Sequence, residues 1–217
     1  MSISPRVTEI LELAFDSATG KLKTSVDLNA ADIEIGAVEI KNATTDTRLI
    51  VNADGTIGVK SGGKTSSASQ TRPNNQTPYD INDVVGTDAA AVMELTNVSA
   101  VAGSTILITG AHMRIDVNAV PSGMGGFLVH LFNAAPTAIT DNLAYNLIAA
   151  DRAKYLGSII VATPVDFGDT LWSENAVSKE VTLATGSTSL FAVTTTLSAF
   201  TPSASTVKTL ILNAMEV

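Results

Sequence analysis

From Pro78 to its end the chain repeats one pattern: a short apolar run, a cluster of turn residues, then another short apolar run. The runs are DVVG, AVMELTNV, STILITGAHMRIDVN, GFLVHLF, YLGSIIVAT, KEVTLAT, SLFAVTTTLSAF and TVKTLILNAMEV. Within them residues alternate, as Leu128, His130 and Phe132 do against Val129 and Leu131. A period of two belongs to a strand, not a helix. About eight such strands, with neither heptads nor intervening long helices, predict an all-β fold: a jelly-roll-like antiparallel sandwich.

One stretch departs from the pattern. Between LVHLF and YLGSIIV, residues Thr137 to Arg152 are too polar and irregular for a core helix, and Asn133 and Pro136 break the strand at once. This predicts a long crossover loop carrying at most a short helical turn, with Ile139, Leu143, Leu147 and Ile148 as its apolar side.

The N-terminal third is different. Residues 2–15 fit a helix through Val7, Ile10, Leu11 and Ala14 or a strand equally well, and DSATG is a turn signal. The run ADIEIGAVEIKNATTDTRLIVNADGTIGV predicts three short strands, at Ile33 and Ile35, at Val38 and Ile40, and at Leu49, Ile50 and Val51, closed by an Asp54-Gly55 turn into Thr56–Val59. So little apolar surface makes a poor core alone and is steadier laid against another surface. Lys60 to Gln76 is rich in Gly, Ser, Thr, Asn and Pro and has the composition of a linker. The expected division is therefore an extended, β-rich N-terminal arm with its linker, 1–70, and a sandwich domain, 71–217.

Charge and cysteine content narrow the function. Of the formal net charge of −8, most belongs to 71–217, where six Lys or Arg face twelve Asp or Glu. An acidic surface repels phosphates, so neither nucleic acid nor an anionic membrane is an expected partner. The chain has no cysteine, which removes disulfides and thiolate chemistry. No run approaches the roughly 20 apolar residues of a membrane span, and MSISPRVTEILELAF lacks the pattern of a secretory signal, so synthesis in the cytoplasm is expected.

Motifs that carry chemistry are thin. Gly58 to Thr65 matches the phosphate-loop pattern literally, but that pattern works only where a helix follows, and SSASQTRPNNQTP has no helical periodicity. SGMGG, Ser122 to Gly126, has no lysine and predicts a turn between strands. His112, sharing a strand face with Arg114 and Asp116, and His130 would form a metal site only if they met and further ligands joined them. Asp166, Asp169 and Glu174 surround the only tryptophan, Trp172, and a glycosidase would need two of these carboxylates across a sugar cleft. Trp172, Tyr145, Tyr155 and Tyr79 would stack on sugars if they clustered, but they are scattered in sequence and suit core or interface packing better. No G-x-S-x-G is present. The expectation is a non-enzyme with no catalytic residue, no metal and no cofactor.

Three runs carry a resemblance. RPNNQTPYDINDVVG (Arg72 to Gly86), LFNAAPTAITDNLAYNLIAADRAKYLGSI and AFTPSASTVKTLILNAMEV together resemble structural proteins encoded near the capsid genes of tailed bacteriophages. DIEIGAVEIKNATTDTRLIVNADGT resembles the arm that precedes the sandwich in the same proteins. The resemblance implies a capsid decoration or cement protein on the outer surface of the virion. It also implies an oligomeric jelly-roll with arms that contact the shell; the expected oligomer is a homotrimer and the expected partner the major capsid protein. The arm's shell-contact residues would be Ile33, Ile35, Val38, Ile40, Leu49, Ile50 and Val51, which equally suit a small core of the arm's own. The alternative function is a head or tail fibre, or another carbohydrate-binding module, that attaches to the host surface.

Overall fold

The structure is a computed structural model that describes residues 62–89 and 91–217. The chain divides into two units, Met1–Val59 and Lys60–Val217, and the described residues belong to the second. Ile33, Ile35, Val38, Ile40, Leu49, Ile50 and Val51 lie outside the described residues.

Among the described residues nine strands make two antiparallel sheets: β1 (Lys64–Thr71), β2 (Val92–Leu95), β3 (Thr105–Ile115), β4 (Phe127–Phe132), β5 (Tyr155–Val161), β6 (Val165–Asp166), β7 (Leu171–Thr182), β8 (Leu190–Thr196) and β9 (Val207–Glu216). One sheet has the order β1-β9-β3-β7-β6 and the other β2-β8-β4-β5. With the two-residue β6 set aside, successive strands alternate between two four-stranded sheets from β1 to β4 and again from β5 to β9. The last strands pair back onto the first. That is the double Greek key of a jelly-roll, and it bears out the all-β sandwich expected from the strand pattern.

The alternation explains the core. On β3, Ile106 and Ile108 point inward, and after a bulge at Thr109–Gly110 so do Ala111, Met113 and Ile115. The extra residue switches the inward set from even to odd numbers and keeps both halves apolar inside. Phe127, Val129 and Leu131 of β4 face Leu210, Leu212 and Ala214 of β9 within the same buried cluster. Each fully buried Leu or Ile there contributes roughly 1.5–3 kcal/mol.

A smaller cluster covers the outer face of the four-stranded sheet. Phe132 and Val193 on that face pack with Val84 and Ala91, and with Ile139, Tyr145 and Leu147 from residues 133–154. The segment 79–91 and the long loop are stitched to each other and to β8 through the bridges Asp83↔Ala144 and Val84↔Thr195. The outer face of the five-stranded sheet is lined instead by Thr65, Ser67 and Ser69 of β1, by Asn213 of β9 and by Thr109 and Arg114 of β3.

Four local expectations change. Lys64–Thr71, linker by composition, is edge strand β1, paired with β9 from Lys64↔Ala214 to Thr71↔Val207. Its inward residues are Ser66, Ala68 and Gln70, so a strand is present without an apolar stripe. The stretch 133–154 is not a crossover between sheets, because β4 and β5 are neighbours in one sheet; it is a long hairpin excursion holding only the single turn of 3-10 helix Ala149–Asp151. DVVG forms isolated bridges rather than a strand. VDFGDTLWSEN, which lies outside the eight runs read as strands, is the β6–β7 hairpin.

Candidate functional site

Register places a row of polar and aromatic side chains across the outer face of the five-stranded sheet. Thr65 lies opposite Asn213, and His112 lies opposite Glu174. Thr65 Oγ1 donates to Asn213 Oδ1 at 2.8 Å. This turns the amide so that Asn213 Nδ2 donates to His112 Nε2, also at 2.8 Å. An accepting Nε2 leaves the proton of the neutral imidazole on Nδ1. That nitrogen is buried, without a hydrogen-bond partner among the described residues, and lies 3.7 Å from Glu174 Oε2, too far for a hydrogen bond. The same carboxylate oxygen accepts from Trp172 Nε1 at 3.3 Å. Trp172 also lies over His112, ring centroids 5.8 Å apart and planes at 31°. Gly110 leaves room for this row, since a Cβ there would meet Asn213 Nδ2 at 3.1 Å and His112 Nε2 at 3.2 Å.

The row ends at the β6–β7 hairpin. Val165 is the register partner of Trp172, so their side chains share a face, and Phe167 follows two residues on. Val165 and Phe167 are 59% and 69% exposed. The turn is set by Gly168 at φ +95°, by Phe167 N–H donating to Thr170 O, and by Gly168 N–H donating to Asp166 Oδ1. Val165, Phe167, Trp172 and Glu174, with Ala162, Thr163 and Ser173, line an open groove of about 380 Å³. Ser173 Oγ donates to Ala162 O and Ala162 N–H donates to Asn175 Oδ1, which fixes the groove's floor where the chain passes between sheets.

This geometry sets Asp166 apart from Glu174. Asp166 faces Leu171 in the register and spends an oxygen on its own turn, on the side of the hairpin opposite Glu174. The histidines do not meet either. His112 is on the outer face of the five-stranded sheet and His130 on the outer face of the other, stacked on Tyr145 at 3.8 Å with Nδ1 3.2 Å from Tyr155 OH. Among the described residues no cluster of three or more His, Asp or Glu could hold a metal ion. Lys64 and Thr65 of the phosphate-loop pattern open a strand, not a helix. Of the four scattered aromatics, Tyr79 is buried in the main core, Tyr145 and Tyr155 pack against the outer cluster, and Trp172 alone lines the groove.

A second polar cluster, missed from sequence, lies inside one end of the sandwich. Arg72 Nε donates to Tyr79 OH at 2.8 Å, Tyr79 OH donates to Asp141 Oδ1 at 2.5 Å, and Gly86 N–H donates to the same oxygen. Arg72 Nε also lies 3.5 Å from Asp141 Oδ2, with both side chains almost wholly buried. Burial, reinforced by Asp141, pushes the Tyr79 phenol well above its ordinary range. Nearby, Lys208 is 4% exposed and donates from Nζ to Val85 O. Burial pushes its ammonium down to about 7, opposed by the charge of Asp141. These groups border a cavity of about 30 Å³, room for about one water. Their bonds run mainly to one another and to backbone, so the cluster ties 72–86 and the long loop to β9.

No family model matches the chain, and no curated protein matches it. Among solved structures it is similar to that of infectious bursal disease virus, Gt strain, at 14% identity and a TM-score of 0.17, over 91% of this chain and 50% of that one. The chain thus spans about half the length of the one it is aligned with, and a superposition of that quality does not define a shared fold.

Proposed function

We propose that this chain is a structural virion protein that decorates and stabilises the outside of a tailed-phage capsid. The observation that carries the reading is the jelly-roll strand order of the stretch in which the three phage-like runs occur. Those runs cover the 72–86 segment, the long loop with β5, and β9. In the structure the same three are held together by the Arg72–Tyr79–Asp141 cluster and by Lys208. The resemblance thus falls on residues that form one cooperating unit, not on interchangeable strands.

In this reading the sandwich self-associates as a homotrimer, and residues of the N-terminal arm, among them Ile33, Ile35, Val38, Ile40, Leu49, Ile50 and Val51, bind the major capsid protein. Each arm makes a modest contact, and three arms on one oligomer multiply it by raising the effective concentration of the second and third. Exposed strand edges of capsid subunits offer main-chain hydrogen bonds to such arms.

Co-sedimentation with mature heads that lack the protein tests this. The full chain is expected to pellet with heads, whereas a chain beginning at Lys60 stays in the supernatant while light scattering still gives three chains per particle. If the full chain does not pellet, the decoration function is wrong.

A further inference from the structure

We propose that the groove beside the β6–β7 hairpin binds a neutral saccharide, one sugar ring lying against Trp172 and Phe167 while Glu174 accepts hydrogen bonds from its hydroxyls. The inference stands on the groove itself and does not depend on capsid decoration.

The hairpin presents apolar surface that the fold has no need to expose. Tyr79, Phe127, Phe132 and Phe200 are all buried, whereas Phe167 at 69% is the one aromatic among the described residues in the fully exposed class. It stands next to Val165, also exposed, and on the face that carries Trp172. Two aromatic side chains on one hairpin, bordering an open groove of about 380 Å³, match a ligand of one or two rings.

The polar surroundings select its chemistry. Glu174, with a 69% exposed side chain, uses Oε2 toward Trp172 and His112, and its Oε1 has no hydrogen-bond partner among the described residues. An ionised carboxylate only accepts, so it calls for a donor such as a sugar hydroxyl. Trp172 is held by its N–H bond to Glu174 and by the His112 ring, so its indole is already oriented and little ordering is needed on binding. Asp166, Asp169 and Glu174 make the hairpin acidic, which repels a carboxylate or phosphate ligand. Pairing of two copies through this face would also set like charges against each other. A small ammonium is the remaining competitor, but the groove is an open shelf, not a cage that encloses a cation on several sides.

Trp172 is the only tryptophan in the chain, so tryptophan emission, excited selectively over tyrosine, reports on this groove alone. The full chain would be titrated with maltohexaose, cellohexaose and the hexamer of N-acetylglucosamine. A saturable change in emission with at least one is expected, and Phe167→Ser is expected to weaken it about tenfold, or about 1.4 kcal/mol, with an unchanged melting curve. No change with any of the three overturns the proposal. So does an equal response to tetramethylammonium chloride, or an emission that follows protein concentration together with particle mass. Pelleting with heads should be the same for Phe167→Ser and the parent chain, which separates failure of this site from failure of the decoration function.

Discussion

Lys208 occupies the inward row of β9, two residues from Leu210 and four from Leu212, where a strand reserves its places for apolar side chains. Its surroundings are Asp141 from the long loop, Arg72 and Tyr79 from the segment after β1, Gln70 of β1 and the carbonyl of Val85. Because burial lowers its pKa from 10.5 to about 7, the unfolded chain binds more protons than the folded one between those values. Stability therefore rises as pH climbs from about 7 towards 10.5, by at most about 1.4 kcal/mol per pH unit. Urea unfolding at several pH values across that window should show the slope in the parent chain and its loss in Lys208→Met. Sequence alone could not find this residue, because alternation in TVKTLILNAMEV marks Lys208 as inward without saying that Asp141, 67 positions earlier, comes near it.

His130 shows how an element is fastened. The loop 133–154 gains its place by laying Tyr145 flat on His130, itself held by Tyr155 and Thr195. Burial lowers the His130 pKa from 6.5 to about 4, so the stability it contributes is complete above pH 6.5 and is lost as pH falls towards 4. Tyr145→Ala should loosen the loop by about 1–2 kcal/mol. Hydrogen exchange across 133–154 should then quicken roughly tenfold or more, while β3 and β9 keep their protection. Exchange that quickens equally in all three would mean that the loop is not a separate unit. β3 and β4 were legible because one face of each is continuously apolar, and β8 and β9 because Leu190 and Ala192, and Leu210, Leu212 and Ala214, alternate within them. β1 was not legible, since its inward Ser66 reaches Thr96 O and its outward Ser69 pairs with Thr209, so hydrogen bonds take the place of an apolar stripe. The first half of β7 hid for a related reason: Trp172, Ser173 and Glu174 alternate correctly, but the signal is polar, and the short β6 gave it no neighbour in sequence. Trp172 and Glu174 were legible as interesting residue types, while their joining to His112 and Asn213 depends on a register that periodicity does not fix.

For the whole molecule, the order of strands decides where the chain can be cut. A division at residue 71 follows composition, but it would remove β1 and uncover the inner edge of β9, whereas one at Lys60 spares every described strand. A chain starting at Arg72 should melt roughly 10 °C or more below one starting at Lys60, and equal melting temperatures would show that β1 adds nothing. The same pairing has a mechanical side. Lys64 lies beside Ala214 and Thr71 beside Val207, so the chain enters the sandwich and Val217 leaves it at one end of a single antiparallel ladder. Tension applied between those two points loads the ladder bond by bond, as in opening a zipper, and separates it at low force. Tension between the entering chain and the middle of the sheet would instead drag β1 lengthwise along β9 and strain many bonds at once. The direction of a pull, more than its size, would set how long this protein keeps hold.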